Sequence, residues 1–336
     1  MKVAIVKLSA LGDIIHAMVV MQFIKKCNHS IIVDWIVEDC YKDLLESNPD
    51  INNVYTVNFK KAKKNQSLYL FLKELRKVSR IGSYDLVIDM QGLVKSALIA
   101  RMVSSRITLG FDKNSIKESL ASFFYNQKFN YPYDKNVIER NLAIVSNALE
   151  FSVSKDEIYK KKFFLHSSKS YIFSKLSYHK YNILIIPGAS YQSKSYPVVK
   201  LAELTMKLDA NFLVLWGTEL EQIMAREIKD LSSHVHILEK LSLDELISLI
   251  GQLDLVIGPD TGPTHIAWAL NIPSITLFGP TPSYRNIYTT PINKSIESSS
   301  KVDPLKINKN DYSIKNIKLE DIVKMATYLL KLKSLK

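Results

Sequence analysis

The sequence predicts an α/β protein of two Rossmann-like, doubly wound domains, and three observations support this fold class. The length of 336 residues corresponds to two domains at about 150 residues each. Apolar residues make up 47% of the chain, enough for sizeable hydrophobic cores. Short β-branched runs alternate with helix-like segments in two separate series, which is typical of parallel sheets covered by helices.

The first series occupies the N-terminal half of the chain. The segment KVAIVKL (2–8) is strand-like, and a small-residue turn and a helix-like stretch follow it. The pattern recurs with the strand-like segments IIVDWIV (31–37) and DLVIDM (85–90). From about 111 to 170 the alternation loosens into aromatic and lysine-rich sequence with one helix candidate at 136–150, so we place the domain boundary at the end of this region.

The second series follows that boundary, with a helix-like segment after each of its first four strands. The strand-like segments are NILIIPG (182–188), NFLVLWG (211–217), VHIL (235–238), DLVIGP (254–259) and SITLFGP (274–280). The sequence therefore predicts an N-terminal domain over 1–168, a C-terminal domain over 169–316, and a terminal helix within 317–336 that can pack back on the N-terminal domain. Two such sheets facing a cleft bind ligands on the loops that follow the strands.

Basic residues outnumber acidic ones, since 45 Lys and Arg against 33 Asp and Glu give a net charge of +12. This excess favours an anionic partner, namely nucleic acid, a membrane surface or a phosphorylated substrate, without choosing among them. The basic tract KKAKK (60–64) is typical of a solvated helix start, and no DNA- or RNA-binding motif accompanies it.

The sequence predicts a cytoplasmic protein. Lys7, Asp13 and His16 interrupt the apolar N-terminal stretch, and no small-residue cleavage site follows it. No run of 18 uncharged apolar residues occurs, so we expect any membrane contact to be peripheral. Cys27 and Cys40 form neither a C-x-x-C redox motif nor a zinc framework, which fits a reducing compartment.

Several common catalytic motifs are missing from the sequence. No two of the ten glycines form a G-x-G pair, which removes the dinucleotide fingerprint, and G-x-x-x-x-G-K-[ST] is absent as well. The motifs H-E-x-x-H and G-x-S-x-G of metalloproteases and α/β-hydrolases are also absent. The function must therefore come from other loops at the carboxyl ends of the strands.

The first such loop is SALGDIIH (9–16), which opens the first helix. Asp13 stands in the first helical turn, where free N–H groups and the helix dipole stabilise an anionic carboxylate. Asp13 can simply complement the dipole, or it can act as general base toward an acceptor hydroxyl. Lys7 and His16 are close enough in sequence to share the site, His16 as a neighbour rather than as a catalyst.

The sharpest signal is GPDTGPTHIAWAL (258–270), in which a buried strand passes through a Gly-Pro turn into a helix with a proline in its first turn. Thr261 or Asp260 can cap this helix. Alternatively, its free N–H groups and the absent side chain at Gly262 form a cradle for diphosphate, to which His265 adds a donor. A helix N-terminus supplies positive potential without a metal ion.

Two further strand-to-helix loops carry candidate binding residues. The segment PGASYQSKSYP (187–197) contains the small residues Ala189 and Ser190. Its Lys194 is either a solvated surface charge or a second contact to a phosphate held at the helix N-terminus described above. In LWGTELE, Glu221 stands where a carboxylate can accept hydrogen bonds from ribose hydroxyls.

Taken together, these motifs resemble those of the lipopolysaccharide heptosyltransferases of glycosyltransferase family 9, most closely the members that add the first heptose. The resemblance covers nearly the whole chain in order and spacing. It rests on KLSALGDIIHA, DMQGLVKSALIAR (89–101), GFDKNSIKESLASFFYN (110–126), VIERN (137–141), PGASYQSKSYP, WGTELE, and DTGPTHIAWAL through TLFGPTPS. It implies the GT-B fold, in which the N-terminal domain binds the acceptor and the C-terminal domain binds the ADP-sugar.

The resemblance implies an inverting, metal-independent transfer of L-glycero-D-manno-heptose from ADP-heptose to the Kdo (3-deoxy-manno-octulosonic acid) of Kdo-lipid A. No cofactor is implied, since ADP-heptose is a substrate. The phosphorylated lipid acceptor implies peripheral contact with the cytoplasmic face of the inner membrane, which gives the net charge of +12 a partner.

Alternatives remain at this stage. Within the family they are an enzyme that adds the second heptose and one that uses another acceptor. Outside it, a basic nucleic-acid-binding protein explains the charge but not the loops, and we expect no nucleic-acid partner.

The resemblance also assigns acceptor-side roles to single residues. Asp13 matches the base that deprotonates the attacking Kdo hydroxyl. Basic positions toward the acidic acceptor match Lys7, Lys117 and Arg140.

On the donor side, Glu221 matches a ribose-binding carboxylate and Leu241 a position near the adenine. Asp260 belongs to the same loop as three of the diphosphate-binding positions. Those positions match Ser190, Lys194, Thr261, Gly262 and His265. Ala189 departs from the family pattern, because relatives can carry a hydroxyl residue there, so only its backbone N–H can bind the donor.

Overall fold

The computed structural model describes residues 1–334 of the chain. They divide into two compact units, Met1–Leu165 and a second that begins at His166. The sequence analysis placed the boundary after residue 168, in the same irregular segment that precedes the second sheet.

The first unit is built on a parallel six-stranded sheet in the order β3-β2-β1-β4-β5-β6. Its strands are β1 (Lys2–Val6), β2 (Ile32–Glu38), β3 (Asn53–Val57), β4 (Ser83–Asp89), β5 (Ser104–Phe111) and β6 (Gln127–Phe129). Its helices are α1 (Leu11–Met18), α2 (Val20–Cys27), α3 (Asp43–Glu46), α4 (Phe59–Lys64), α5 (Leu68–Val78), α6 (Val94–Met102), α7 (Val137–Ala148) and α8 (Lys155–Tyr159). The central strands β1 and β4 are buried along most of their length, which explains their nearly continuous apolar sequence.

The second unit repeats this architecture with the strand order β12-β11-β10-β7-β8-β9, again all parallel. Its strands are β7 (Asn182–Ile185), β8 (Asn211–Val214), β9 (Val235–Ile237), β10 (Leu255–Pro259), β11 (Ser274–Phe278) and β12 (Asn293–Glu297). Its helices are α9 (Val198–Lys207), α10 (Glu219–Leu231), α11 (Leu243–Gly251), α12 (Gly262–Ala269), α13 (Ser283–Asn286) and α14 (Leu319–Ser334).

The chain runs outward and returns in the same way in both units. In the first it passes from β1 to β2 and β3 and then returns to β4 beside β1, and in the second it passes from β7 to β8 and β9 and returns to β10 beside β7. The strand pairs β1–β4 and β7–β10 therefore mark the points at which neighbouring loops diverge. Open α/β sheets bind ligands at these points.

The terminal helix α14 belongs to the second unit and contacts α9, β10 and β11. Its buried residues share one hydrophobic cluster with the strands of that sheet; they are Leu319, Ile322, Ala326, Leu329 and Leu330. This packing differs from the expected return to the N-terminal domain, because the apolar stripe of the helix completes the C-terminal core. Within residues 1–334, no helix has both the length and the apolar content needed to cross a bilayer.

The sequence analysis did not predict β5, β6 and β12. β5 begins with the polar residues SSR, β6 has three residues, and β12 has the mostly polar sequence NKSIE, so none of them reads as a buried apolar run. β5 is stabilised by close packing around Gly110. A β-carbon there would come within 2.3 Å of the Tyr125 ring, so the glycine lets that ring lie directly on β5.

Candidate active site

The first strand-to-helix loop exposes Asp13. β1 ends at Val6 and α1 begins at Leu11, so Asp13 is the third residue of the helix. Its Oδ2 accepts a hydrogen bond from the backbone N–H of Ala10 at 3.2 Å, which ties the carboxylate to the helix N-terminus. The residue is exposed. Asp13 therefore complements the helix and still offers an accessible carboxylate.

Gln91 fixes the backbone of this loop, a role that the sequence analysis did not predict. Its Oε1 accepts hydrogen bonds from the N–H groups of Leu8 at 2.7 Å and Ser9 at 3.1 Å. The N–H of Gln91 in turn donates to Oδ1 of Asp89 at 2.8 Å. The loop before Asp13 is thus held by the end of β4.

Asp89 is the buried anchor of that arrangement. Its carboxylate accepts hydrogen bonds from the hydroxyls of Ser96 at 2.8 Å and Tyr125 at 2.7 Å. The N–H groups of Gln91 and Gly92 donate to its other oxygen. Burial raises the pKa of Asp89 above its ordinary value, although each of these hydrogen bonds favours the charged form. Its role is therefore to position the loop rather than to contact substrate.

The three basic residues predicted to face the acceptor all lie in the first unit, in different surroundings. Lys7 is buried, and its Nζ donates to the carbonyl of Met90 at 3.0 Å. His16, its expected neighbour, is buried in α1. Lys117 is exposed in the segment that follows β5, whereas Arg140 is buried on α7.

Arg140 holds the loops after β5 and β6. Its NH1 donates to the carbonyls of Tyr131 at 2.7 Å and Pro132 at 2.6 Å, and its NH2 donates to the carbonyl of Ser115 at 2.7 Å. The guanidinium also lies 4.4 Å from the centroid of the Phe111 ring. These contacts add a structural role to Arg140, and its contact with an acceptor stays a prediction.

In the second unit, Asp260 lies between two of the side chains predicted to bind diphosphate. It follows β10 directly and exposes 5% of its surface. Its Oδ2 lies 3.1 Å from Nζ of Lys194, and its Oδ1 lies 3.1 Å from Nε2 of His265. Asn286 Nδ2 also donates to Oδ2, at 3.1 Å. We refer to these four residues as the Asp260 cluster.

The electrostatics of the Asp260 cluster fix its charge. Burial by itself would raise the pKa of Asp260, but the positive charge of Lys194 and the hydrogen bond to His265 outweigh burial and hold the pKa well below its usual range. Asp260 is therefore an anion that orients the two nitrogen-bearing side chains. This positioning role is one that the sequence analysis did not distinguish from donor binding.

The Asp260 cluster adjoins the N-terminus of α12. Thr261 is the N-cap residue, with an extended backbone, and Gly262 opens the first turn. The hydroxyl of Thr264 donates to the carbonyls of Pro259 at 3.1 Å and Thr261 at 2.6 Å. The backbone N–H of Thr261 in turn donates to Oγ1 of Thr264 at 3.4 Å, and Gly262 has no side chain to cover the N–H groups of the first turn. The predicted cradle and the predicted phosphate-binding lysine thus lie at one strand end.

Glu221 lies against the loop that follows β7. Its Oε2 accepts hydrogen bonds from the N–H groups of Gly217 and Thr218, both at 2.9 Å, and completes a capping box at the start of α10. A β-carbon at Gly188 would come within 2.8 Å of Oε1, so only a glycine allows this approach. Glu221 therefore caps its helix through one oxygen and places the other beside the PGAS loop.

The remaining predicted donor residues lie on neighbouring loops. Ala189 is half-buried and Ser190 exposed, both between β7 and Lys194. Leu241 is half-buried in the segment between β9 and α11. Their contacts with a donor stay predictions.

Two buried hydroxyls on these loops were not predicted. Ser193 Oγ and Thr281 Oγ1 have no hydrogen-bond partner among the described residues. Because buried polar groups are nearly always hydrogen-bonded, both are candidate ligand contacts. The sequence could have indicated both residues, because Ser193 lies in the PGASYQSKSYP motif and Thr281 in the TLFGPTPS motif, at the ends of buried strands.

Comparison with known proteins identifies the family of this two-unit architecture. A model of glycosyltransferase family 9 (heptosyltransferase) matches residues 71–315. Lipopolysaccharide heptosyltransferase 1 of Campylobacter coli is 42% identical over 98% of this chain and 99% of its own length. The chain belongs to glycosyltransferase family 9. The resemblance found in the loops is thereby confirmed, and with it the enzyme class of a glycosyltransferase.

Other family 9 members agree with this assignment. Lipopolysaccharide heptosyltransferase 1 of Pseudomonas aeruginosa is 27% identical over 86% of this chain and 81% of its own length. The solved structure of the Escherichia coli heptosyltransferase WaaC with ADP has a TM-score of 0.79 at 22% identity, covering 98% of this chain and all of that one. This likeness confirms the predicted GT-B fold.

Proposed function

We propose that this chain transfers L-glycero-D-manno-heptose from ADP-heptose to the Kdo of Kdo-lipid A, with inversion at the anomeric carbon. The observation that carries the proposal is the ammonium of Lys194, oriented by Asp260 next to the N-terminus of α12, because the ammonium and the helix N–H groups can both donate to a diphosphate. The two relatives described above are both named lipopolysaccharide heptosyltransferase 1, which supports this sugar and acceptor.

Asp13 acts as the general base in this proposal. Its carboxylate accepts the proton of the Kdo hydroxyl as the hydroxyl oxygen attacks the anomeric carbon of the heptose. The exposed position of Asp13 and its single backbone contact support this role, because they leave carboxylate lone pairs accessible. A positioned base of this kind contributes roughly 10² to 10⁴ in rate.

Lys194 and the N-terminus of α12 stabilise the ADP leaving group. When the bond between the anomeric carbon and the β-phosphate oxygen breaks, negative charge develops on the diphosphate. Lys194 is buried and already oriented by Asp260, so it needs little reorganisation in the transition state. The carboxylate of Asp260 also fixes the imidazole of His265 at this site, through Nε2. Each preorganised donor of this kind is worth about 3 to 4 kcal/mol, which makes a metal-independent reaction feasible.

Other residues bind the rest of the donor. Glu221 accepts hydrogen bonds from the ribose through Oε1, and Leu241 packs near the adenine. The phosphates are bound by the hydroxyl of Ser190 and the backbone N–H of Ala189, with the N–H groups that follow Thr261.

The acceptor side is basic in this proposal. Lys7, Lys117 and Arg140 attract the carboxylate and phosphate groups of Kdo-lipid A. Because that acceptor is anchored in lipid, we place the enzyme at the cytoplasmic face of the inner membrane as a peripheral protein, and the net charge of +12 supports this location.

The deciding experiment incubates the purified protein with ADP-heptose and Kdo-lipid A in EDTA and follows the product by mass spectrometry. A product with one added heptose supports the donor, the acceptor and metal independence together. Transfer only to an acceptor that already carries one heptose would assign the second-heptose reaction instead. The matched control is Asp13→Asn, which should bind ADP and form the product at least about 10²-fold more slowly.

A further inference from the structure

The outward face of α5 combines apolar and basic side chains, and the proposed reaction does not use it. Leu68, Tyr69 and Leu72 expose 71%, 73% and 53% of their surfaces. Lys73 and Arg76 are exposed on the same face, since residues three and four apart are neighbours on a helix. This outward face is a continuous patch of three apolar and two basic side chains.

The inward face of α5 already anchors the helix. Leu75 and Val78 are buried in the core of the first unit, and Phe71 packs against that core. The ring of Phe71 also lies 5.0 Å from the ring of Phe59 on α4. At about 100° per residue, Leu68 and Leu72 lie beside this buried stripe, and Tyr69 lies farther round the helix. Their side chains are nevertheless exposed, so the core of the first unit does not cover them.

Charge identifies the kind of partner. Over residues 58–80, eight basic residues and one acidic residue, Glu74, give +7 in 23 residues, against +12 for the whole chain. The basic residues are Lys60, Lys61, Lys63, Lys64, Lys73, Arg76, Lys77 and Arg80. A second copy of the chain would bring the same positive charge against this face, whereas an anionic lipid surface complements it.

The position of α5 in the sheet agrees with a lipid partner. α4 begins two residues after β3, at the carboxyl edge of a parallel sheet whose same edge carries the loop of Asp13. α5 then returns toward the start of β4, so its N-terminal half, with Leu68, Tyr69 and Leu72, lies nearer to that edge.

We propose that the outward face of α5 is the surface through which the protein binds an anionic phospholipid bilayer. Leu68, Tyr69 and Leu72 enter the headgroup region, and Lys73 and Arg76 contact lipid phosphates. The inference deepens the proposed function and rests on it for one point, that the acceptor is borne by a membrane.

The test is co-sedimentation of the full-length protein with vesicles of phosphatidylglycerol and phosphatidylethanolamine that contain no acceptor. We expect binding to these vesicles and little to vesicles of phosphatidylcholine. The double variant Lys73→Gln/Arg76→Gln should weaken binding by about 25-fold, because each basic residue near an anionic surface contributes roughly a factor of five. The double variant Leu68→Ser/Leu72→Ser should weaken it at least about tenfold.

Matched control variants remove two basic or two apolar exposed side chains from the second unit instead of from α5. Lys240→Gln/Lys306→Gln removes two exposed charges from the second unit, and Val199→Ser/Met206→Ser removes two exposed apolar side chains from α9. Both should bind vesicles within about twofold of the unmodified chain. Circular dichroism and urea unfolding of all four variants check that each is folded, which we expect because every substituted side chain is exposed.

Three results would overturn the inference. The α5 variants could bind anionic vesicles as well as the unmodified chain does. Alternatively, the control variants could lose as much vesicle binding as the α5 variants lose. Light scattering could also show that Leu68→Ser/Leu72→Ser turns a dimer into a monomer, which would assign the face to a second copy of the chain.

The vesicle assay and the transfer assay fail separately. A protein that transfers no heptose but binds vesicles through α5 contradicts the proposed function alone. A protein that transfers heptose to an acceptor in detergent, with vesicle binding indifferent to α5, contradicts this inference alone.

Discussion

Asp13 and Asp260 each follow a central strand of their own sheet and have opposite surroundings. β1 pairs with β4 and β10 pairs with β7, and both β1 and β10 lead through a short loop into a helix. Asp13 is exposed and bonded to one backbone N–H, whereas Asp260 is buried and bonded to Lys194, His265 and Asn286. A strand-to-helix corner can therefore leave a carboxylate accessible or use it to orient other side chains, and the neighbouring residues decide which.

The largest expected effect comes from Asp13→Asn. The amide keeps the size of the side chain and can still accept from the Ala10 N–H, but it cannot take a proton, so turnover should fall by about 10² to 10⁴. The measurement is kcat for heptose transfer together with the Kd for ADP, which should stay within about twofold. Weakened ADP binding would contradict the assignment of Asp13 to the acceptor side.

Lys194→Ala should act on the donor side. Removing the buried ammonium takes away leaving-group stabilisation, so kcat/KM for ADP-heptose should fall by about 10² to 10³, and ADP binding should weaken with it. Isothermal titration with ADP and initial-rate kinetics measure the two effects. Lys194→Arg keeps the charge and should recover part of the loss; ADP affinity unchanged in Lys194→Ala would remove the lysine from the donor site.

Asp260→Asn should reduce both stability and donor binding. It leaves a buried lysine without its carboxylate, and breaking a buried pair in this way costs about 3 kcal/mol or more. Urea unfolding of the variant measures the loss, with Asp13→Asn as the control that should change the free energy of unfolding by less than about 1 kcal/mol. Equal stabilities of the two variants would break the contrast between the two corners.

The two units also differ in the surroundings of a buried lysine. In the second unit, Lys194 lies 3.1 Å from the carboxylate of Asp260. In the first unit, burial lowers the pKa of Lys161 to about 7, from an ordinary value of 10.5. Between these values the unfolded chain binds a proton that the folded one does not, so this residue makes the free energy of unfolding rise with pH, by up to about 1.4 kcal/mol per unit.

Lys161→Met should remove that rise and stabilise the protein most near pH 6, with the gain fading toward pH 10. Urea unfolding at four pH values between 6 and 10 checks this. Lys155→Met, at an exposed position on α8, is the control and should leave the pH dependence unchanged. If the free energy of unfolding of Lys161→Met changed with pH in the same way as that of the unmodified protein, the ammonium of Lys161 would not be desolvated in the folded protein.

Much of the fold follows from local sequence because of where the strands lie. β1, β4, β7 and β10 are central and buried, so their apolar runs are visible without any knowledge of their neighbours. The edge strands β6, with three residues, and β12, with the mostly polar sequence NKSIE, show no apolar run, and they are strands because they pair with β5 and β11. The side on which α14 packs could not be predicted, since its apolar stripe is compatible with either core.

The candidate site divides in a similar way. Asp13, Lys194 and His265 could be singled out because each lies on a loop that follows a strand or in the first helical turn after such a loop. Asp260 positions Lys194, which lies 66 residues away in the sequence. Gln91 positions the backbone of Leu8 and Ser9, which lie 83 and 82 residues away. Such tertiary pairs leave no periodic signal, so spacing along the chain does not reveal them.

The hold of Gln91 and Asp89 on the first loop has a consequence for the order of events during synthesis. The loop of residues 9–13 is among the first segments to leave the ribosome, yet its backbone is bonded to Gln91, and Asp89 behind it is bonded to Tyr125. The loop that holds the proposed general base is therefore assembled only after more than a third of the chain has emerged. Until then, a nascent chain carries the motif of this loop in its sequence but not its geometry.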